Sequence, residues 1–181
     1  MKPFYLSISV LAALSFILPA HAQLDSFSHG PVVKEFGENV LIEDGLEDPD
    51  QQVFKVLFDL AVKNETDQPL RQLNTIARFI NMHARAGVDP DNIHTAAVVH
   101  GGASYELMSN DAYQRRFGKP NPSAKLVQAL VSANTMITLC GQSAAYHGID
   151  KDDLADGVQM SLSAMTANAL FQQQGYTLNP F

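Results

Sequence analysis

Two patterns of hydrophobic and polar residues follow each other along the chain. Short apolar runs with little alternation predict strands that are covered on both faces. Stretches with an apolar residue at every third or fourth position predict amphipathic helices, and we expect His83 on the first of these to be exposed. The strands are predicted at residues 53–62, 93–100, 135–140, 158–160 and 176–178. The helices are predicted at residues 70–85, in part of 105–117, at 123–132, after Gly141 and at 161–174.

This alternation of strands and helices predicts an α/β fold. Strands that are separated by helices of these lengths pair in parallel, and the helices pack on both faces of the sheet. We therefore expect a three-layer α/β/α sandwich around a mainly parallel five-stranded sheet, in one domain that spans residues 53–181. A chain of this length is large enough for one domain with its own hydrophobic core.

The first 22 residues have the pattern of a secretory signal peptide. Lys2 precedes an apolar run from Phe4 to Ala20, and the segment ends in Ala20-His21-Ala22, which is typical of a cleavage site. The alternative is an uncleaved membrane anchor, for which the run is at the short end of the roughly 20 residues needed to span a bilayer. No other apolar stretch reaches that length. We expect a protein that is secreted across the inner membrane into the periplasm and leaves the membrane after cleavage.

Residues 23–52 are predicted to form an N-terminal arm or loop. They contain glycines, prolines and a run of acids between Glu43 and Asp50. The acid run lacks the alternate spacing and central glycine of a calcium loop, so we interpret it as solvated. Two apolar segments, Val32-Val33 and residues 40–42, are candidates for an edge strand or for contact with a neighbouring subunit.

The charge of the chain limits its partners. After cleavage, 11 basic residues face 19 acidic ones, since the signal removes only Lys2 from the 12 basic residues. The basic residues are scattered and form no stripe. This distribution argues against binding to nucleic acid and to anionic lipid.

Cys140 is the only cysteine, so no disulfide can form within the chain. It lies at the turn between the strand at 135–140 and the segment Gly141-Gln142-Ser143. The carboxyl end of a parallel strand is where open α/β sheets bind ligands, and the N-terminus of a helix stabilises an anion such as a thiolate. Two interpretations stay open: a reactive thiol, or a buried and inert one.

A second glycine turn, His100-Gly101-Gly102, follows the second predicted strand. Its successive N–H groups are candidates for an anion-binding nest, and His100 is a candidate partner for Cys140. If the two strands are neighbours, these residues lie about 5 Å apart at the backbone; with one strand between them, the distance roughly doubles. Asp59, near the end of the first strand, either faces the same edge or caps the next loop.

Two other chemistries fit the sequence less well. The segment from Gly141 to Ala145 approximates the G-x-S-x-G motif of serine hydrolases, but its last glycine is absent and no histidine follows His147. A metal site would have only His100 and Cys140 as soft ligands, fewer than the three or four that zinc needs. We therefore predict no metal and no cofactor.

Four segments in this order resemble the DsrE/DsrF-like family, and more narrowly its exported branch related to YchN-type proteins. They are Phe54-Lys55-Val56-Leu57-Phe58-Asp59, Val98-Val99-His100-Gly101-Gly102-Ala103, Cys140-Gly141-Gln142-Ser143-Ala144-Ala145 with Gly148, and Ser163-Ala164-Met165-Thr166 leading to Gln174-Gly175-Tyr176. The resemblance spans about residues 53–181 and does not cover the arm. It implies a parallel α/β/α sandwich that assembles into a trimer or hexamer.

The resemblance also implies that, as in the sulfur-relay members of the family, Cys140 carries sulfur as a persulfide. Those members commonly have an arginine before the glycine that matches Gly148, where this chain has His147. They work in the cytoplasm with partner subunits, whereas this chain has an export signal. Our prediction is an exported DsrE-like thiol protein that carries sulfur on Cys140, with sulfur donor or acceptor proteins as partners. The alternative is a non-catalytic periplasmic module, a homo-oligomer that binds a small molecule or anion at the His100 and Cys140 turns.

Overall fold

The computed structural model describes residues 26–180. The predicted signal peptide and the first residues of the predicted arm lie outside the described residues, as does Phe181. The strands are β1 (Phe54–Leu60), β2 (Ile93–Val99), β3 (Met136–Cys140), β4 (Gln159–Ser161) and β5 (Thr177–Asn179). The α-helices are α1 (Arg71–Arg85), α2 (Asn110–Phe117), α3 (Ala124–Ser132), α4 (Gly141–His147) and α5 (Ala164–Gln173). Short 3-10 helices join some of them, and the longest spans Gly101–Leu107.

The strands form one sheet in the order β4-β3-β2-β1-β5, and each neighbouring pair is parallel. The predicted α/β class and five-stranded sheet are confirmed, and the sheet is parallel throughout rather than mainly parallel. From β1 to β4 each strand pairs with the preceding one, whereas β5 returns to the far side of β1. Right-handed crossovers place a connecting helix on the opposite face when the chain turns back. This explains why α5, which joins β4 to β5, packs on the face opposite to α1 and α3.

Two apolar clusters fill the space between the sheet and the helices. The larger cluster joins Phe58 and Leu139 to the apolar sides of α1 and α3. The smaller cluster joins Leu57 and Val98 to α5 and includes Cys140. Both faces of β2 are covered, which explains why its sequence is apolar without alternation.

The element bounds agree with the predictions to within a few residues, with one larger difference at 161–174. That segment is helical only from Ala164, because Ser161 belongs to β4 and Ser163 caps α5 by accepting a hydrogen bond from the N–H of Thr166. The structure also corrects the exposure of His83, which is half-buried rather than exposed.

The arm docks on α1 and adds no strand to the sheet. Between residues 26 and 52, Ser28 and Asn39 form only an isolated antiparallel bridge. Of the two alternatives considered for Val32-Val33 and residues 40–42, the edge strand is not formed. Val33 is instead 3% exposed and packs in the larger apolar cluster.

Asn81 of α1 holds the arm through its side chain, which is fully buried. Its Nδ2 donates to the carbonyl oxygens of Val33 (2.9 Å) and Phe36 (2.8 Å), and its Oδ1 accepts from the N–H of Val33 (2.8 Å). Gly37 passes very close to the helix, since a Cβ there would lie 2.3 Å from the backbone carbon of Ala77. Its φ of +68° also favours glycine. The arm is thus an integral part of the folded chain.

Candidate functional site

The glycine turns after β2 and β3 lie next to each other at the carboxyl edge of the sheet. Val99 pairs with Leu139, so the residues that follow them, His100 and Cys140, are side by side on neighbouring strands. Backbones of neighbouring strands are about 5 Å apart, which is the shorter of the two distances that the sequence left open. His100 follows Val98 by two residues, so it points to the α5 face of the sheet, as Cys140 does.

Cys140 ends β3 and stands at the N-cap of α4, and only 5% of it is exposed. The backbone N–H groups of Ser143, Ala164 and Gln142 and the Ser143 hydroxyl lie around its sulfur and favour the thiolate. Burial alone would raise the pKa of the Cys140 thiol, but these donors stabilise the thiolate, and together they hold the pKa below its usual value. The turn therefore favours the nucleophilic form of the sulfur while shielding most of it from solvent.

Gly141 allows the loop between β4 and α5 to close over this turn. A Cβ on Gly141 would lie 2.6 Å from the carbonyl oxygen of Ser161 and 3.2 Å from that of Leu162. Gln142 contacts the same loop, because its Nε2 donates to the carbonyl oxygen of Leu162 at 3.3 Å. This close approach brings the N–H of Ala164 within hydrogen-bonding reach of the thiol.

Ser143 connects the two glycine turns. Its Oγ accepts a hydrogen bond from the N–H of Gly101 at 3.0 Å, so this member of the predicted anion nest is already bonded within the protein. Gly101 has a φ of +53°, and a Cβ on Gly102 would lie 2.6 Å from Cβ of Lys63. The glycine pair thus permits a sharp turn packed against the segment that follows β1.

His100 is hydrogen-bonded to Asp59, the third residue predicted at this edge. Its Nε2 lies 3.3 Å from both carboxylate oxygens of Asp59. Asn168 of α5 donates to the same carboxylate, with its Nδ2 3.0 Å from Oδ1. The His100 and Asp59 side chains are 29% and 36% exposed, so solvent screens the attraction between them. Asp59 therefore lies at the same edge as His100, linked through Asn168 to the helix that covers Cys140.

A second histidine, His147, lies beside the turn, although the sequence analysis did not include it in the candidate site. Nε2 of His147 lies 2.9 Å from the carbonyl oxygen of Gly101, and its Nδ1 lies 2.9 Å from the Tyr105 hydroxyl. Because a carbonyl only accepts, Nε2 carries the hydrogen and Nδ1 accepts from Tyr105. Arg116 of α2 donates to the carbonyl oxygens of His147 (2.6 Å) and Gly148 (2.9 Å). These partners are more than 30 residues apart in the sequence, so no local motif could have indicated the cluster.

Among residues 26–180, no group of three or more histidine, cysteine, aspartate or glutamate residues is arranged to hold a metal ion. None of the helices in that described range is long and apolar enough to cross a membrane.

The fold and this edge define a small parallel α/β protein with one thiol held at the carboxyl end of an inner strand. The model of the DsrE/DsrF-like family matches residues 55–180, which is more than half of the chain. The chain belongs to the DsrE/DsrF-like family, as its four sequence segments indicated. The arm before residue 55 lies outside the match.

Two solved structures share this fold. MTH1491, a protein of unknown function from Methanobacterium thermoautotrophicum, is 18% identical with a TM-score of 0.53, and the match covers 70% of this chain and 97% of that one. The YchN protein from E. coli is 16% identical with a TM-score of 0.50 and the same coverage of both chains. At these identities the likeness concerns the fold alone. No curated protein matches the chain.

Proposed function

We propose that this protein is an exported DsrE-like thiol protein that carries sulfur as a persulfide on Cys140. One observation carries the proposal: Cys140 ends β3 at a turn closed over by the loop between β4 and α5, where the surrounding N–H groups and the Ser143 hydroxyl favour the thiolate. A low thiol pKa supplies the thiolate that attacks a sulfur donor. Membership in the DsrE/DsrF-like family makes this role plausible for the chain.

The proposed transfer is a thiol exchange without net oxidation. The Cys140 thiolate attacks the outer sulfur of a donor persulfide or polysulfide, and a new S–S bond forms on Cys140. The S–S bond of the donor breaks, and its electron pair leaves with the donor as a thiolate. Attack by an acceptor thiolate on the outer sulfur then restores the Cys140 thiolate.

This transfer requires that the sulfur donor can reach the buried thiol of Cys140. Since only 5% of Cys140 is exposed, a donor must displace part of its cover. The loop between β4 and α5 is the nearest cover, because it contacts Gly141 and ends at Ala164. We therefore expect the reactivity of the thiol to depend on movement of this loop.

Alkylation and mass measurements test the carrier function. The rate at which the mature protein reacts with iodoacetamide, measured from about pH 4 to 9, should have a midpoint below the unperturbed value of about 8.5. After incubation with polysulfide, the intact mass should increase by one sulfur atom, and the increase should be absent in Cys140→Ser. A thiol that reacts only after denaturation would contradict the proposal.

We further propose that the chain is exported to the periplasm with residues 1–22 removed. The basic start, apolar run and Ala20-His21-Ala22 ending support this location. Cell fractionation should find the protein in the periplasm, with a mass that corresponds to a start at Gln23. A cytoplasmic protein that retains Met1 would contradict export.

A homo-oligomer, a trimer or hexamer, is supported by an apolar surface beside the thiol. Tyr146, Leu162 and Met165 are 86%, 72% and 80% exposed. Leu162 and Met165 lie on either side of Ala164, whose N–H reaches the thiol. Exposed apolar side chains that lie together commonly mark a contact with a partner. Sedimentation should show an oligomer that Met165→Asp weakens, and a monomeric wild-type protein would contradict this assembly.

A non-catalytic binding module is the second candidate, and the low exposure of Cys140 favours it. In that case the His100 and Cys140 turns, with Asp59 beside His100, would bind a small molecule or anion without turnover. Calorimetric titration with sulfate should then give saturable binding that is weakened in His100→Ala and unchanged in Cys140→Ser. Under the sulfur-carrier proposal, uptake of sulfur from polysulfide is instead lost in Cys140→Ser.

A further inference from the structure

A cavity of about 190 Å³ lies between the arm and the C-terminal end of α1. Apart from Gly45, it is lined by Val40, Ile42, Leu46, Met82, His83 and Ala86. Five of these six side chains are apolar, so His83 is the single side chain that offers a polar atom. This arrangement, an apolar space with one polar group, is typical of small-molecule sites.

The hydrogen bonding of His83 defines the polar atom that it offers. Nδ1 lies 2.8 Å from the carbonyl oxygen of Phe79, which only accepts, so Nδ1 carries the hydrogen. Nε2 is then left with a lone pair. The ring is fixed by its neighbours, with centroids 4.0 Å from Phe79 and 4.4 Å from Phe54. Burial lowers the pKa of His83 more than the Phe79 carbonyl raises it, so the neutral ring with an accepting Nε2 is the form present at neutral pH.

The charges around the cavity select against anions. Glu43, Asp44 and Glu47 alternate in sequence with the lining residues of the arm. The nearest cation along α1, Arg85, uses its Nη2 to donate to carbonyl oxygens of the arm, including that of Gly30 at 3.0 Å. The three carboxylates outnumber this one guanidinium, so the chain next to the lining residues carries a net negative charge that disfavours anionic ligands.

We propose that this cavity binds a small neutral aromatic compound that donates one hydrogen bond, a phenol, with its hydroxyl directed to Nε2 of His83. The volume is sufficient, because an enclosed apolar cavity of about 150 Å³ holds benzene, and this one is larger and open to solvent on one side, where Ile42 is 62% exposed. The ring would pack against the apolar lining, and the hydroxyl would give the free lone pair its partner.

This site is separate from the Cys140 turn and belongs to the part of the chain that is additional to the family. The family match begins at residue 55, whereas four of the lining residues precede it. The matches to the two solved structures include 97% of each of those chains but only 70% of this one. The arm that forms one wall of the cavity thus lies outside the shared fold.

Calorimetric or NMR titration of the mature protein tests the proposal at neutral pH. Phenol should bind saturably at one site. Toluene, which has the ring without the hydroxyl, should bind about fivefold more weakly, since a hydrogen bond contributes about 1 kcal/mol. Benzoate should not bind, because of the net negative charge next to the lining residues. Equal affinity for phenol and toluene, or no saturable phenol binding, would overturn the proposal.

Three variants locate the binding. His83→Leu should reduce phenol affinity to that of toluene, and Ala86→Leu, which fills the cavity and keeps His83, should abolish binding of both. The matched control is His94→Leu, on β2 and outside the cavity, which should bind phenol as the wild type does. If His83→Leu does not fold, the Ala86→Leu result decides. Unchanged phenol binding in Ala86→Leu would show that phenol binds elsewhere.

Discussion

At the scale of single residues, two opposite effects act on the pKa of the Cys140 thiol. Burial disfavours the charged form, whereas the donors around the sulfur favour it, and the donors have the larger combined effect on the pKa. The sequence indicated the turn and its N–H groups at Gln142 and Ser143, because these residues directly follow Cys140 in the chain. It could not indicate Ala164, which reaches the thiol only because β4 and α5 fold back over Gly141.

Ser143→Ala should raise the pKa of Cys140. The variant keeps the backbone N–H of Ser143 but removes the hydroxyl, and a hydrogen bond to a charged group contributes about 1.5–3 kcal/mol. Iodoacetamide reactivity near neutral pH should fall about tenfold or more. Ser132→Ala, at the end of α3, serves as the control and should react as the wild type does. An unchanged pKa in Ser143→Ala would show that the hydroxyl does not act on the thiolate.

His83 should make the free energy of unfolding depend on pH. Its pKa is lowered in the folded protein, mainly by burial, from an unfolded value of about 6.5. The unfolded chain therefore binds more protons in this window, and the stabilisation is complete above about pH 6.5 and decreases as the pH falls through the folded pKa. Urea unfolding at several pH values should show that the free energy of unfolding decreases more steeply with falling pH in the wild type than in His83→Asn. Identical pH profiles for the two proteins would contradict this expectation.

The arm and α1 show, at the scale of elements, which parts of the fold a sequence reveals. β1 and β2 were predicted because burial on both faces leaves runs of apolar residues, which in β1 are interrupted only by Lys55 and Asp59. The sequence predicted an arm or loop but not where it docks: Val32-Val33 was a candidate edge strand or subunit contact, while its actual partner is the side chain of Asn81, 48 residues away from Val33. A polar residue within a helix gives no local sign that it binds a distant backbone.

Asn81→Ala should loosen the arm and destabilise the protein. The Asn81 side chain makes five hydrogen bonds to the backbone of residues 32–37. Loss of a buried partner costs about 1–3 kcal/mol for each unsatisfied group, so we expect a decrease of about 3 kcal/mol or more in the free energy of unfolding. Trypsin should also cut faster at Lys34, which is exposed on the arm.

Asn74→Ala provides the matched control for that experiment. Asn74 is on the same helix and accepts one hydrogen bond, from the N–H of Gly37 at 2.9 Å. Its loss should cost about 1 kcal/mol. If Asn81→Ala were no more destabilising than Asn74→Ala, the buried network would not be what holds the arm.

The strand order decides, at the scale of the whole molecule, which predicted residues meet. A parallel crossover allows a new strand on either side of the last one, so the sequence could not place β2 beside β3. The observed order puts His100 next to Cys140 and takes β5 back to the far edge beside β1. The fold class and the edge of the site were thus predictable from local patterns. The neighbours of each functional side chain depended on topology.

Deletion of residues 23–52 should leave the five-stranded domain folded but less stable. The solved relatives share the fold over the remaining part of the chain, whereas here Asn81 and Ala77 of α1 are buried by the arm. A loss of about 3 kcal/mol corresponds to a decrease of roughly 10 °C in the thermal midpoint. Differential scanning calorimetry measures this, and an unchanged midpoint would show that the arm does not stabilise the domain. Phenol binding should disappear in the same protein.

The docking of the arm on α1 also has a consequence for the order of events during translocation. The proposed export moves the chain across the membrane with its N-terminus first. The arm then emerges before Asn81, the residue to which it binds. The arm therefore lacks its hydrogen-bonding partner until about 50 further residues have crossed the membrane and α1 has formed. The acidic residues between Glu43 and Asp50 keep the undocked arm solvated during this interval, because a charged segment does not readily aggregate.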